Sequence, residues 1–462
     1  MNNVTNERYR QNYHIMPPQG WMNDPNGLCF FKGYYHVFFQ YHPYSAEWGP
    51  MHWGHVRSLD LVHWEECPIA LTPGDFEDKD GCFSGSAVVK DNKLYLIYTG
   101  HHYVEGTQQQ KFWQNQNIAV SEDGLYFQKS DKNPIIATPP DDNSDDFRDP
   151  KVWHKKDVWY MVLGSQNKSK QGRVLLYRSK DLFKWDYLKV LATADPSANE
   201  GYMWECPDFF ELDNKKLLLV SPQGINAEHG MFKNIHQTGY FILDQDKDNK
   251  SVFHELDSGH DFYATQTCMT EDGRRIMFAW MDMWETKMRE QADGWAGTMT
   301  LPRELTMHGD RLYTFPVAEL KALRSKLLFT QNKLSKEIIF KSSSHALEIN
   351  ADLRWANFKT SIYFKLSDKA RKQVLTIEFN PQRQKAYLQR AGEDGERQAS
   401  FSLMQQLKLK IYVDSSSVEL FINGGESSFS ERFYAEGGLN FNFSSENLIK
   451  QQLNVYCLKE NQ

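Results

Sequence analysis

Residues 24–41 read DPNGLCFFKGYYHVFFQY, and this stretch decides the fold. A short motif is followed by an apolar run, a polar turn at 31–33 and a second apolar run. Lysine and glycine between runs of aromatic and β-branched residues are typical of a β-hairpin. The stretch therefore predicts two antiparallel strands joined by a tight turn.

The same layout occurs five times before residue 300. Equivalent points in the five copies are Tyr35, Tyr95, Trp159, Leu217 and Ile276. Neighbouring points are 60, 64, 58 and 59 residues apart, a register too regular for an unrelated series of hairpins. Further strand-like pieces between the copies bring each repeat to roughly four strands. Five such repeats predict a β-propeller with five blades around a central axis.

The pattern changes after Pro302. Residues 316–328 have apolar residues at helical spacing after a proline, which predicts a connecting helix. From about residue 335 onwards, short runs alternate with period 2 and are separated by polar turns, which indicates a β-sandwich. We therefore predict an all-β fold with a five-bladed β-propeller over residues 1–315, a helical linker over 316–334 and a C-terminal β-sandwich over 335–462.

Composition excludes several classes of protein. The 462 residues are 40% hydrophobic and carry a net charge of −7, which gives no general attraction for nucleic acid or an anionic membrane. No apolar run approaches the roughly 20 residues of a membrane helix. The first residues lack the layout of a signal peptide, and the six cysteines include no CxxC pair. We therefore expect a cytoplasmic protein with reduced thiols and with no nucleic-acid or membrane partner.

Acidic residues recur at matching positions in the motifs that open the copies. Asp24, Asp149 and Glu205 precede the equivalent points by 11, 10 and 12 residues. Ser84 occupies the same place in the second copy, and Tyr263 lies close to it in the fifth. Because equivalent ends of the innermost strands meet around one axis, we expect these side chains to share one pocket. Two carboxylates in one pocket suit glycoside hydrolysis, in which one attacks as an anion and the other donates a proton.

Aromatic and polar residues near the same motifs fit a sugar ligand. Aromatic faces can stack on the CH surface of a sugar ring, while amide, hydroxyl and guanidinium groups can bind its hydroxyls. The candidate substrate-binding residues are Trp21, Asn23, Gln40, Trp48, Phe83, Ser84, Arg148, Tyr263 and Trp280. The sequence contains no HExxH motif and no acidic calcium loop, so we expect no metal and no cofactor.

These motifs resemble those of glycoside hydrolase family 32, which includes invertases, sucrose-6-phosphate hydrolases, inulinases and levanases. The matching stretches are WMNDPNGL (21–28), FSG (83–85), FRDP (147–150), WECPD (204–208), GTMTLPRE (297–304) and SVELFINGGE (417–426). The resemblance implies that Asp24 is the nucleophile of a covalent fructosyl-enzyme and that Glu205 is the general acid and base. It also implies that Asp149 binds fructose hydroxyls and stabilises the transition state. The residues alone leave open which acid attacks.

The resemblance implies a retaining beta-fructofuranosidase that acts on sucrose, sucrose 6-phosphate or short fructo-oligosaccharides. Residues 232–240 resemble intracellular sucrose(-6-phosphate) hydrolases. Fructose should face the acids, and the stretch 229–236, which contains Lys233, could bind a phosphate on the glucose. The alternatives are an exo-hydrolase of fructan oligosaccharides, an inverting arabinan or xylan hydrolase with five blades, and an inactive sugar-binding propeller. The sequence leaves the oligomeric state open.

Overall fold

The structure is a computed structural model that describes residues 4–108, 110–244, 249–355, 357–370, 372–392, 395–435 and 437–459. Strands make up most of these ranges. Two short 3₁₀ helices occur at Arg289–Asp293 and Ala318–Leu323. Within these ranges, no helix is long and apolar enough to cross a membrane.

Five antiparallel sheets form the first domain. Blade one consists of β1 (Gly20–Phe31), β2 (Tyr34–His42), β3 (His52–Ser58) and β4 (Trp64–Glu66). Blade two consists of β5 (Gly81–Lys90), β6 (Lys93–Tyr103), β7 (Phe112–Ser121) and β8 (Gln128–Lys129). Blade three consists of β9 (Asn143–Lys155), β10 (Val158–Asn167), β11 (Gly172–Ser179) and β12 (Asp186–Thr193).

Blade four consists of β13 (Met203–Leu212), β14 (Lys215–Gln223), β15 (Gly239–Leu243) and β16 (His254–Glu255). The remaining strands of the domain are β17 (Tyr263–Met269), β18 (Arg275–Trp280), β19 (Trp295–Ala296), β20 (Arg303–His308) and β21 (Arg311–Pro316). Strands β17, β18, β20 and β21 form blade five, whereas β19 pairs in parallel with Gly20 and Trp21 of β1. This pairing closes the ring, and the predicted five-bladed propeller is confirmed.

Each innermost strand has a β-bulge at its motif. The pairing register shifts between Met22 and Pro25 in β1 and at the corresponding places in β5, β9, β13 and β17. Asp149, Cys206 and Ala264 have positive φ angles of 64°, 48° and 55° at these bulges. A bulge redirects a side chain out of the regular alternation. The five bulges therefore direct their side chains towards the same end of the axis.

The second domain is the predicted β-sandwich. Its strands are β22 (Arg324–Ser342), β23 (Leu347–Arg354), β24 (Ile362–Ser367), β25 (Gln373–Asn380), β26 (Lys385–Arg390), β27 (Arg397–Ser400), β28 (Gln406–Val413), β29 (Ser417–Ile422), β30 (Ser427–Arg432) and β31 (Leu439–Leu458). Strand β31 pairs with β24 through residues 440–445 and with β23 through residues 450–457, so it belongs to both layers. One core of fully buried residues lies between the layers, with Phe364 and Ile377 from one layer and Ile349 and Ile411 from the other.

The predicted helical linker over 316–334 is wrong in type and extent. Only Ala318–Leu323 is helical, as a 3₁₀ segment, and the chain is already in β22 from Arg324. The apolar residues Val317, Leu320 and Leu323 do pack together in a buried cluster. Beyond them, β22 pairs with β31 over most of its length, and this long-range pairing overrides the local helical pattern.

Buried ion pairs join the two domains. Arg303 of β20 donates to Asp257 at 2.8 Å and to Glu419 of the sandwich at 3.0 Å. His14 lies between two sandwich carboxylates, 3.0 Å from Glu419 and 2.7 Å from Asp414. Removing one partner of a buried pair typically costs roughly 3–5 kcal/mol. These pairs therefore determine how the sandwich docks on the propeller.

The His14 contacts predict how the stability of the protein depends on pH. Burial alone lowers the pKa of His14, but the hydrogen bonds with Asp414 and Glu419 raise it to about 9. Because this pKa is higher in the folded state, the stabilisation is fully present below about pH 6.5 and is lost as the pH rises through about 9. We expect the free energy of unfolding to fall by about 3 kcal/mol over this interval.

Urea denaturation at several pH values between 6 and 10 measures this fall. The free energy of unfolding should decrease by roughly the same amount for each pH unit across the interval. The variant His14→Gln should lose most of the pH dependence in this window. An equal fall in the wild type and the variant would assign it to other groups.

Candidate active site

Asp24, Asp149 and Glu205 meet at one end of the propeller axis, on the bulges of β1, β9 and β13. Cys206 connects them. Its backbone N–H donates to Asp149 Oδ2 at 2.8 Å, and its thiol lies 3.6 Å from Asp24 Oδ2. Since Glu205 is the preceding residue, the three acids surround one peptide unit. The structure thus brings together the acids that the sequence placed in one pocket.

Besides the Cys206 thiol, two side chains donate hydrogen bonds to Asp24. Asn23 Nδ2 donates to Oδ1 at 2.9 Å, and Ser84 Oγ donates to Oδ2 at 2.8 Å. Trp21 Nε1 donates to Asn23 Oδ1 at 2.7 Å, which fixes the orientation of the amide. Burial raises the pKa of Asp24, the hydrogen bond from Asn23 lowers it and the charge of Glu205 raises it, with a net upward shift. The two donors therefore orient the carboxylate and limit that shift.

Glu205 is held by three residues. Arg148 Nε donates to Oε1 at 3.0 Å, while Gln223 Nε2 donates to Oε2 at 2.9 Å. The hydroxyl of Tyr263 also donates to Oε2. The carboxylate nevertheless keeps 16% of its side chain exposed. It is oriented by the protein on one side and open to a ligand on the other.

Asp149 is buried, and its environment disfavours a negative charge. Burial raises the pKa of Asp149, Arg148 lowers it, and the neighbouring Glu205 and Asp24 raise it, with a result of about 7. Carboxylates this close share their protons, so the shift belongs to the cluster as a whole. The cluster can therefore hold a proton near neutral pH.

Three tryptophans pack together, and one of them, Trp21, donates a hydrogen bond to Asn23. In this tryptophan cluster, the ring of Trp21 lies 5.8 Å from that of Trp280 and 6.0 Å from that of Trp284. Trp280 was predicted to bind substrate, but its exposed fraction is 0%, so it supports the other two rings and offers no face to a ligand. Trp284 is the partly exposed member. Trp48, 40% exposed, lies edge-on to Phe83 at 6.1 Å.

Gln40 has a supporting position. It is buried, and its amide nitrogen donates to the carbonyl of Cys82 at 3.0 Å, which ties β2 to β5. The sequence analysis missed Gln223, although the repeat register contained the signal. Gln40 lies two residues before the end of β2, the second strand of blade one, and Gln223 ends β14, the second strand of blade four.

The structure does not gather the stretch 229–236 into a phosphate site. Lys233 Nζ donates to the carbonyl of Glu396 in the sandwich at 2.7 Å, and His229 lies beside Glu228 at 3.2 Å. Only His236 approaches the acids, with its ring 5.8 Å from that of Tyr263. Lys233 thus contacts the second domain in this structure, and its predicted contact with a phosphate stays a prediction.

A cavity of about 1220 Å³ lies at the other end of the innermost strands. Its lining includes residues 28–30, 87–89, 151–156, 208–211 and 267–269. These residues follow the bulges along the same five strands, so the cavity lies away from Asp24. We place the site where the acids, their donors and the exposed aromatic rings converge, because size alone carries no chemistry.

Comparison with known protein families gives a match for each of the two domains. Residues 14–316 match the model of the glycosyl hydrolases family 32 N-terminal domain, and residues 319–456 match that of the glycosyl hydrolases family 32 C terminal. The chain belongs to glycosyl hydrolase family 32. The resemblance found in the sequence is confirmed, and the protein is a glycoside hydrolase. The inverting arabinan or xylan hydrolase and the inactive sugar-binding propeller lose their support.

Similar proteins cover almost all of this family 32 chain. A sucrose-6-phosphate hydrolase of Escherichia coli is 43% identical over 436 residues, which are 92% of this chain and 89% of that protein. A raffinose invertase of Escherichia coli is 42% identical over 441 residues, with the same shares. The structure of a Bombyx mori family 32 beta-fructofuranosidase mutant in complex with sucrose has a TM-score of 0.90 and 40% identity, covering 100% of this chain and 96% of that one.

The pKa of Asp149 predicts a variant that is more stable than the wild type. An aspartate has a pKa of about 3.9 when unfolded, so folding disfavours the ionised Asp149 side chain increasingly as the pH rises from about 4 to about 7. Asp149→Asn removes this charge. We expect the free energy of unfolding of the variant to exceed that of the wild type by an amount that grows as the pH rises across this interval.

Denaturation of both proteins between pH 4 and pH 8 measures the difference, and most of it should develop across the roughly three pH units in which the wild type ionises. Asp131→Asn, at an exposed position, is the matched control for the removal of one carboxylate. If the difference in free energy of unfolding between the wild type and Asp149→Asn does not change with pH, the raised pKa of Asp149 is contradicted.

Proposed function

We propose that this family 32 hydrolase is a retaining beta-fructofuranosidase that cleaves sucrose into fructose and glucose. The observation that carries the proposal is that Asp24, Asp149 and Glu205 meet around Cys206. Each acid has its own hydrogen-bond donor. The sucrose-6-phosphate hydrolase and raffinose invertase named above, together with the Bombyx mori enzyme in complex with sucrose, support this substrate class.

Asp24 is assigned as the nucleophile. Its carboxylate oxygen forms a bond to the anomeric carbon of fructose while the bond from that carbon to the glycosidic oxygen breaks. Asn23 and Ser84 hold the carboxylate in one orientation before the attack, so little is lost in orienting it during the reaction.

Glu205 is assigned as the proton donor and then as the base. Its proton moves to the glycosidic oxygen, which leaves as glucose. A water molecule then loses a proton to the Glu205 carboxylate and attacks the anomeric carbon, and the bond to Asp24 breaks to release fructose. Arg148, Gln223 and Tyr263 fix the direction in which this carboxyl group points.

Asp149 is assigned to fructose binding and charge stabilisation. It is buried, and its Oδ2 accepts the Cys206 N–H, so the carboxyl group is held still beside the other two acids. A carboxyl group in this place can bind ring hydroxyls. In its ionised form it stabilises the positive charge that develops on the sugar ring in the transition state.

Sucrose 6-phosphate is the second candidate substrate, because the relative at 43% identity is a sucrose-6-phosphate hydrolase. We propose that both sugars are accepted, although Lys233 contacts the carbonyl of Glu396 in this structure. Short fructo-oligosaccharides belong to the same substrate class. A cytoplasmic location, expected from the scattered cysteines, stays a proposal, which an assay of fractionated cells would test.

The direct test is the release of glucose from sucrose in a coupled assay. The wild type should release glucose, and Asp24→Ala and Glu205→Ala should each lower kcat by about 10³-fold or more, because each removes covalent or proton-transfer chemistry. The same assay with sucrose 6-phosphate measures glucose 6-phosphate. Wild type that releases neither sugar would refute the proposed activity.

A fructoside with a good leaving group separates the roles of the two acids. Such a substrate needs little protonation, so Glu205→Ala should regain much of its first step on it. Asp24→Ala should not recover, since it still lacks the attacking oxygen. Equal recovery of the two variants would show that the acid and the nucleophile have been assigned wrongly.

A further inference from the structure

Arg432 is a sandwich residue that reaches into the propeller. It ends β30 and is 2% exposed. Its Nη1 donates to Asp282 Oδ2 at 2.7 Å, and its Nη2 lies 2.7 Å from Glu290 Oε1. Both acids belong to the segment between β18 and β19. One guanidinium group thus holds two points of this segment.

The first point is next to the tryptophan cluster. Asp282 lies two residues after Trp280 and two residues before Trp284. The two rings are 5.1 Å apart, and both contact Trp21. Anchoring Asp282 therefore fixes the backbone that carries two of the three rings.

The second point leads to the closure of the ring. Glu290 lies in the 3₁₀ helix Arg289–Asp293, and only Gly294 separates this helix from β19. Strand β19 pairs with Gly20 and Trp21, and the Arg432 guanidinium lies 5.9 Å from the Trp295 ring. Both contacts of Arg432 are therefore connected to Trp21, one through the neighbouring tryptophan rings and the other through the pairing of β19.

Trp21 is connected to the proposed nucleophile by two hydrogen bonds. Its Nε1 donates to Asn23 Oδ1 at 2.7 Å, and Asn23 Nδ2 donates to Asp24 Oδ1 at 2.9 Å. The indole N–H thereby determines which way the Asn23 amide faces. If Trp21 shifts, the donor to Asp24 shifts with it.

We propose that Arg432 of the sandwich domain is a positioning residue for Asp24, acting through Asp282 and Glu290 on the tryptophan cluster. The proposal rests on the proposed function in one respect, the assignment of Asp24 as the nucleophile. A lysine in this place keeps the charge, but it cannot reproduce the planar fork that bridges two carboxylates. One of the two buried acids would then lose its partner.

Other charged and titratable groups lie around Arg432 and around Asp24, and they contribute to any pH profile of activity. The charged and titratable groups around Arg432 are Asp261, Asp282, Glu290, Arg390 and Tyr434. Those around Asp24 are Asp149, Glu205, Cys206 and Tyr263. A variant at Arg432 touches none of the second group, so a change in their titration reports a change of position.

The test compares Arg432→Lys with a matched arginine. Arg303→Lys is the control, because Arg303 is also fully buried at the domain interface and also binds two carboxylates. Those carboxylates, Asp257 and Glu419, lie outside the segment between β18 and β19. We expect both variants to lose thermal stability. Only Arg432→Lys should lower kcat/KM for sucrose, by about tenfold or more, as misplaced groups do.

The pH profile of kcat/KM separates a change in the position of Asp24 from a general weakening of domain docking. A weakened hydrogen bond from Asn23 raises the pKa of Asp24, so the acidic limb of kcat/KM should move to higher pH in Arg432→Lys and stay in place in Arg303→Lys. Equal activity losses in the two variants, or an unmoved acidic limb, would overturn the proposal. Wild type without activity on sucrose would instead refute the proposed function.

Two further variants keep the test decisive. In a Trp21→Phe background the indole N–H is absent, so adding Arg432→Lys should cause little further shift of the limb. A full additional shift would show that the effect does not pass through Trp21.

If Arg432→Lys fails to fold, Asp282→Asn replaces it, because it keeps the side-chain volume and removes one charge of the pair. It should shift the limb in the same direction, and no shift would overturn the proposal.

Discussion

The bulge at the same place in all five innermost strands is the constraint on which the site depends. Closing five sheets around an axis brings equivalent strand ends together, and the bulges direct their side chains to that end. The closure itself depends on the short pairing of β19 with Gly20 and Trp21. Residues more than 180 positions apart in the chain thereby meet around Glu205 and Cys206.

Bringing three carboxyl groups together has an electrostatic cost. Burial and mutual repulsion raise the pKa values of Asp24 and Asp149. The structure offsets this with Arg148, with the Cys206 N–H and with the hydroxyl of Ser84. A site of this kind is less stable than an apolar one of the same shape, which is the usual relation between function and stability.

The sequence predicted the architecture and the acids because both depend on the repeat. A period of about 60 residues identifies the blades, and the position of each acid within its copy predicts that the acids converge. The burial of Trp280 and the sandwich contact of Lys233 could not be predicted, because their surroundings come from elsewhere in the chain. Burial of Trp280 depends on Trp21 and Trp284, and Lys233 contacts the sandwich. No local pattern reports such contacts.

The central claim is that Asp24 forms a covalent bond to fructose. It is tested most directly by mass spectrometry of Glu205→Ala, reacted with fructosyl fluoride, quenched in acid and digested. This substrate needs no acid catalyst to react, whereas breakdown of the product on the enzyme needs Glu205 as a base. The account predicts one fructosyl group on the peptide that carries Asp24. Fluoride release without an adduct, or an adduct on another residue, would contradict it.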